Sequence, residues 1–161
     1  VYTVVVKMKY EVVSLLNEWG AIDKSRLSED SDEALEERLK IQKAAYLLHY
    51  LKVEPFDALS FSQNLHGPYA PELARAYFRG APLEFEADEK GLKLLKWFIR
   101  HKSRWLRAAS TLLSVYEFYP NMSMEEAFGM LGMTLPWLSR KEFNKIYRAL
   151  VHKELVAVKQ K

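Results

Sequence analysis

The sequence has no cysteine among its 161 residues. Disulfides, thiolate nucleophiles, iron–sulfur clusters and every zinc site built on a thiolate are thereby excluded. Histidine is scarce as well: His49, His66, His101 and His152 lie far apart, and none has a second histidine or a carboxylate at a recognised metal-binding spacing. A metal would need tertiary convergence, and no metal or other cofactor is expected. No apolar run approaches the ~18 residues that span a bilayer. The apolar opening, Val1 to Val6, is too short for a signal-peptide core and has no small-residue cleavage site behind it. A cytoplasmic location without a membrane partner is the expectation. There is no P-loop, no Rossmann glycine pattern and no nucleophile elbow, so no catalytic residue is assigned and a non-enzymatic role is expected.

Acidic residues are missing from one long stretch, with none between Lys90 and Glu117. Residues 1–89 hold 10 Lys/Arg against 16 Asp/Glu, a balance of −6, whereas residues 90–161 hold 14 against 5, a balance of +9. The formal net charge of +3 hides this division. Such asymmetry points to nucleic acid or another polyanion, unless the two halves neutralise each other on folding. A composition of 49% hydrophobic and 28% charged residues is that of an ordered globular protein. With no repeat, low-complexity tract or linker, residues 1–161 read as a single domain.

The periodicities predict a mainly α, compact multi-helix domain with a small β element. From Lys7 to Trp19 apolar residues recur at spacings of three and four, which predicts a helix closed by Gly20. Residues 23–33 read as an exposed connection. From Ala34 to Leu51 apolar residues cover most of a helix circumference, which places that helix in the middle of the core. Gln42 falls inside its apolar stripe and must find hydrogen-bond partners if buried. The alternation Leu59, Phe61, Gln63, Leu65 has a strand's period. It runs into a tight turn, His66-Gly67-Pro68-Tyr69-Ala70-Pro71, and Pro71 suits the first position of a helix ending near Gly80. His66 beside a constrained turn invites a general-base reading, but no nucleophile or orienting carboxylate accompanies it, and a structural turn is the better account. Residues 88–119 read as one long helix or two joined near Ser103. Capping boxes at Ser123/Glu126 and Ser139/Glu142 open two more helices. Leu155 to Val158 suggest a short terminal strand.

On a continuous helix from Asp88, the side chains of Lys93, Lys96, Arg100, Arg104 and Arg107 fall within an arc of about 80° at roughly 100° per residue. Leu95, Phe98, Ile99 and Leu106 fall on the opposite side. A basic face of this length can follow several phosphates of a duplex, and Trp97 at its flank could stack on a base or pack at the core margin. The same face could also be solvated, or pair with the acidic residues between Glu29 and Glu37 or between Glu84 and Glu89. The helix from Arg140 to Lys153 adds Lys141, Lys145 and Arg148. Its passage into Leu155–Val158 resembles a recognition helix leading into a wing, a winged-helix-like C-terminus whose returning strand would come from residues 1–6. The partner is then nucleic acid. The alternative is an acidic protein met by the same cations, with Phe128, Met130, Met133 and Trp137 as apolar anchors.

Two segments carry a family resemblance. Arg38-Leu39-Lys40-Ile41-Gln42-Lys43-Ala44-Ala45-Tyr46-Leu47-Leu48 and, about 20 residues later, Phe61 with His66-Gly67-Pro68-Tyr69-Ala70-Pro71-Glu72-Leu73 resemble small prokaryotic helical proteins similar to the Panacea, or SocA-like antitoxin, family. Residues 7–80 form the family-like part and residues 88–161 the basic helical part. The resemblance implies a helical domain with a small β element, found in antitoxins and presumed regulators, and no catalytic residues. Asn64-Leu65-His66 departs from the pattern, which often has an aromatic residue before the Gly-Pro. Gln42 is expected to pin the Gly67-Pro68-Tyr69 turn to the central helix through backbone hydrogen bonds.

Overall fold

The computed structural model describes residues 5–64 and 66–157, apart from the Asn64 side chain. Among them are seven α-helices and two small antiparallel strand pairs: β1 Met8–Glu11, α1 Val12–Glu18, α2 Asp32–Tyr50, β2 Ser62–Asn64, β3 Gly67–Tyr69, α3 Pro71–Phe78, β4 Glu84–Ala87, α4 Glu89–Ile99, α5 Ser103–Phe118, α6 Met124–Thr134 and α7 Arg140–His152. The class is mainly α with a small β element.

α2 is the centre of the fold. Ser31 caps it by accepting from Ala34 N at 3.1 Å, and Asp32 and Glu33 place negative charge on the first turn, where the helix dipole favours it. Every residue from Ile41 to Leu48 is buried, because α1, α3, α4, α5 and β3 surround the helix. α5 packs beside it. Its run Ala108 to Ser114 is wholly buried, and its small side chains leave room for α2 and β3. α6 and α7 cover the far side of α5. Both carry the expected capping boxes, Ser123 with Glu126 and Ser139 with Glu142.

The N-terminus departs from the expected helix. Residues 8–11 form β1, paired in the register Met8↔Ala87 to Glu11↔Glu84 with β4, a strand that local periodicity did not predict. Glu11 ends the strand and starts the helix: its carboxylate accepts from Val13 N, Ser14 N and, across the ribbon, Leu83 N. Gly20, at φ +73, lets the chain leave α1.

The expected tight turn is itself a strand. β3 pairs with β2 in the register Ser62↔Tyr69, Gln63↔Pro68, Asn64↔Gly67. Leu65, the last residue of the expected alternation, lies outside the described residues, and the strand before it is shorter than the alternation suggested. Pro71 occupies the first turn of α3 as expected.

No strand follows α7 within the described residues, and Val158 lies outside them. Leu155 N donates to Leu150 O at 2.9 Å, and Tyr50 Oη donates to Leu155 O at 2.6 Å. Leu155 and Val156 are buried, so this segment is committed to closing the core beside α2 instead of forming a wing. Of the proposed returning strand, residues 1–4 lie outside the described ones, and Val5 and Val6 belong to no strand.

Candidate functional site

The basic stripe is not one helical face. α4 stops at Ile99, and α5 begins at Ser103 with extended backbone at Lys102 (φ −67, ψ 158). The elbow at residues 100–102 redirects the chain, so the wheel that aligned five cations no longer applies. Lys93 pairs with Glu89 at 3.0 Å on the exposed side of α4. Lys96 is exposed with its ammonium 5.8 Å from the centre of the Trp19 ring, and Arg100 is exposed at the elbow. Trp97 is half-buried. It meets Trp105 edge-on at 5.6 Å and His101 at 4.9 Å, and the Lys153 ammonium lies 5.1 Å from its ring centre. It packs at the margin of the core. His101 stacks on Trp105 at 3.7 Å, and burial lowers its pKa.

Arg104 and Arg107 turn to a different place. Arg104 holds Glu142 with two hydrogen bonds, Nε to Oε2 at 2.8 Å and Nη2 to Oε1 at 2.9 Å. It also donates to Trp137 O at 3.2 Å and lies 4.2 Å from the centre of the Trp137 ring. The hydrogen bonds from Arg104 push the Glu142 carboxyl down to about 2. Arg107 lies 5.5 Å from the same ring centre, and its Nε is buried without a hydrogen-bond partner. Part of the stripe is therefore self-paired, as one reading allowed. Of the acids used, Glu89 lies in the Glu84–Glu89 stretch that this reading named, and Glu142, on α7, lies in neither named stretch.

Lys141, Lys145 and Arg148 are all exposed on α7. Its inner face, Phe143, Ile146, Tyr147 and Leu150, is buried, which fixes the cations outward. None of the three is in an ion pair among the described residues. α7 meets the elbow at both ends, through Glu142 at Arg104 and Lys153 at Trp97.

The chain matches no known family model, no characterised protein and no solved structure.

The motif of the central helix is explained by its contacts. Gln42 Nε2 donates to Ala70 O at 3.0 Å, and Ala70 N donates to Gln42 Oε1 at 2.9 Å. Both ends of one buried amide are used on the backbone of one residue, just beyond the Gly67-Pro68-Tyr69 segment. Lys43, 3% exposed, donates from Nζ to Pro68 O at 3.3 Å. Gly67 has φ +94, and a Cβ there would lie 3.0 Å from Lys43 Nζ, 3.1 Å from Ser110 Oγ and 3.3 Å from Thr111 Oγ1. Glycine is needed for both the backbone conformation and the space.

Sequence reasoning missed a pocket of about 480 Å³ lined by Lys40, Lys43, His66, Arg104, Arg107 and Trp137, with Glu36 as its acidic residue. Burial first, and then the Arg107 charge, lower Lys43 to about 7. Burial, Arg107 and Lys43 also lower His66. One signal was available: Lys43 sits inside a continuously apolar helix with no acid three or four residues away. A second polar cluster also escaped notice. Tyr46 Oη donates to Glu117 Oε1 at 2.8 Å, His49 Nε2 faces Glu117 Oε2 at 3.0 Å, and His49 Nδ1 donates to Phe56 O at 2.8 Å. Every polar atom of His49 is thus used internally, which makes the cluster a brace between α2 and α5. Among the described residues no three His, Cys, Asp or Glu side chains gather to hold a metal, and no helix is long and apolar enough to cross a membrane.

Proposed function

We propose that the protein is a non-enzymatic, antitoxin-like regulator that binds nucleic acid through the outward face of α7. The observation that carries this reading is that Lys141, Lys145 and Arg148 stand exposed and, among the described residues, without ion pairs, whereas Lys93 and Arg104 are matched with acids. Spacings of four and three put the three within an arc of about 60° and about 10 Å of helix, short enough to meet neighbouring phosphates of one groove. Lys96 and Arg100, exposed on the helix that α7 meets, extend the same charge. The likeness of the Lys40–Leu48 helix and the Gly67-Pro68-Tyr69 segment to the Panacea family supports the regulator class.

An acidic protein partner is the alternative for the same cations. Of its expected apolar anchors, Met133 is 87% exposed, but Phe128, Met130 and Trp137 are partly buried, and Trp137 lies beside two guanidinium groups. Nucleic acid is therefore favoured.

A salt-titrated binding assay against duplex DNA, single-stranded DNA and RNA tests the proposal. If three phosphates are neutralised, duplex affinity falls about 40-fold between 50 and 200 mM salt. K145E/R148E should weaken binding at least tenfold with the fold unchanged. Binding that ignores both salt and this double substitution refutes the proposal.

A further inference from the structure

A pocket lies between α2, the end of the β2–β3 hairpin, α5 and the α6–α7 connection. Its inner end presents Lys43 Nζ, whose hydrogen bond within the protein is the long one to Pro68 O, and Arg107, whose buried Nε has no partner. Neither cation has a carboxylate counter-ion among the described residues. Lys40 donates to Ala21 O at 3.2 Å, and Arg104 is committed to Glu142, so these two line the entrance while spending their strongest bonds elsewhere. Lys43 is buried and feels the Arg107 charge, and Arg107 is half-buried with its Nε out of water. Like charges held together out of water repel, and an anion between them relieves both costs.

We infer that this pocket binds the phosphate group of a phosphomonoester, held between Lys43 and Arg107. Charge matching selects the class: a phosphate dianion balances one ammonium and one guanidinium, whereas a carboxylate leaves one of them uncompensated. The guanidinium is suited to bidentate phosphate contacts, and Lys43 has two ammonium protons left after Pro68 O. Leu39, Leu106 and Trp137 supply apolar wall for the organic remainder, and about 480 Å³ accommodates a mononucleotide-sized molecule. The site stands apart from the outward face of α7 and does not depend on the nucleic-acid reading.

Binding is coupled to protons. Lys43 sits at about 7 in the free protein, so above that pH it is neutral and must take up a proton as the dianion enters. Arg107 from α5, Arg104 at the elbow, His66 at the hairpin, and Lys40 and Glu36 on α2 are the other charged or titratable groups lining the pocket. At His66 the Glu36 carboxylate works against the lowering by Arg107 and Lys43.

The test is calorimetric and thermal-shift titration of the full chain with inorganic phosphate and with adenosine 5′-monophosphate at pH 6.5 and 8.5, at constant ionic strength. Saturable binding is expected, about tenfold weaker at pH 8.5. It should be lost in K43M and in R107Q and retained in K145E/R148E. Adenosine and chloride should produce no response. Comparing a 5′-phosphorylated with a 5′-hydroxyl oligonucleotide separates two sources of the same group. Preference for the phosphorylated end assigns the site to nucleic-acid termini, and equal binding with adenosine 5′-monophosphate still bound assigns it to small metabolites. No phosphate binding at pH 6.5, or equal binding by K43M and R107Q, overturns the inference. R107Q guards against misreading a folding defect in K43M, because Arg107 is only partly buried.

Discussion

Replacing Lys43 with methionine should make the protein more stable, and the gain should depend on pH in a defined way. The lysine is 3% exposed, donates one hydrogen bond of 3.3 Å and has Arg107 as its charged neighbour. Burial and that neighbour lower its folded-state value from 10.5 to about 7. In the unfolded chain it holds its proton up to about 10.4. Between pH 7 and 9 the unfolded state therefore binds nearly one proton more than the folded state, and stability rises with pH. At about 1.4 kcal/mol per pH unit for one proton, the wild type should gain about 2 kcal/mol across this window. Below pH 7 the folded protein carries a buried charge, and its stability is lowest with respect to this group. Methionine fills a similar volume and has no charge to desolvate, and the change forfeits one weak hydrogen bond, about 1 kcal/mol or less. Urea unfolding in phosphate-free buffer at pH 6, 7, 8 and 9 measures both proteins. The difference between them should be largest at pH 6 and should shrink by about 2 kcal/mol by pH 9. Parallel profiles, or a methionine variant less stable at every pH, would refute the reasoning that Lys43 is held against its own solvation.

Two further outcomes are expected. Gln42→Leu removes both hydrogen bonds to Ala70 and leaves its N–H buried without that partner, while its C=O keeps the bonds from Leu73 N and Ala74 N, so it should cost about 1–3 kcal/mol, read as a lower urea midpoint with unchanged slope; unchanged stability would mean that the amide does not pin the hairpin. Arg104→Ala should return the Glu142 carboxyl from about 2 toward its ordinary range, observable as a shifted carboxyl carbon titration by NMR. A Glu142 titration that stays where it is in the alanine variant would assign the shift to the Ser139 cap instead.

What could be read from the sequence was local. Ser139 and Glu142 are three residues apart, and the hydrogen bonds of the capping box follow from that spacing alone. The eight-residue buried stretch of α2 announced itself because apolar residues on every side of a helix leave it no solvent face. Gln42 was legible for the same reason, and only its partner was displaced, to Ala70. The failures have a common physical origin in contacts between distant segments. β1 is four residues of alternating character whose partner lies more than 70 positions away, and helical spacing further along Val12–Trp19 absorbed it. The elbow at 100–102 has neither glycine nor proline, and Lys102 caps α5 without a side-chain hydrogen bond, so the sequence left one long helix and two joined near Ser103 both open. Once that break exists, Arg104 and Arg107 leave the Lys93 face. The pocket was illegible because its walls come from residue 36 through residue 137 and acquire meaning only when Lys43 is known to be buried beside Arg107.

The hydrogen bond from Tyr50 to Leu155 joins the end of the central helix to a residue 105 positions later. A ribosome emits α2 long before the segment that closes over it. Until α4, α5 and the residues after α7 have emerged, the nascent chain carries a helix whose apolar circumference is only partly covered, by α1, β3 and α3. The protein therefore completes its core last to first, with the C-terminal residues sealing what the N-terminal third began.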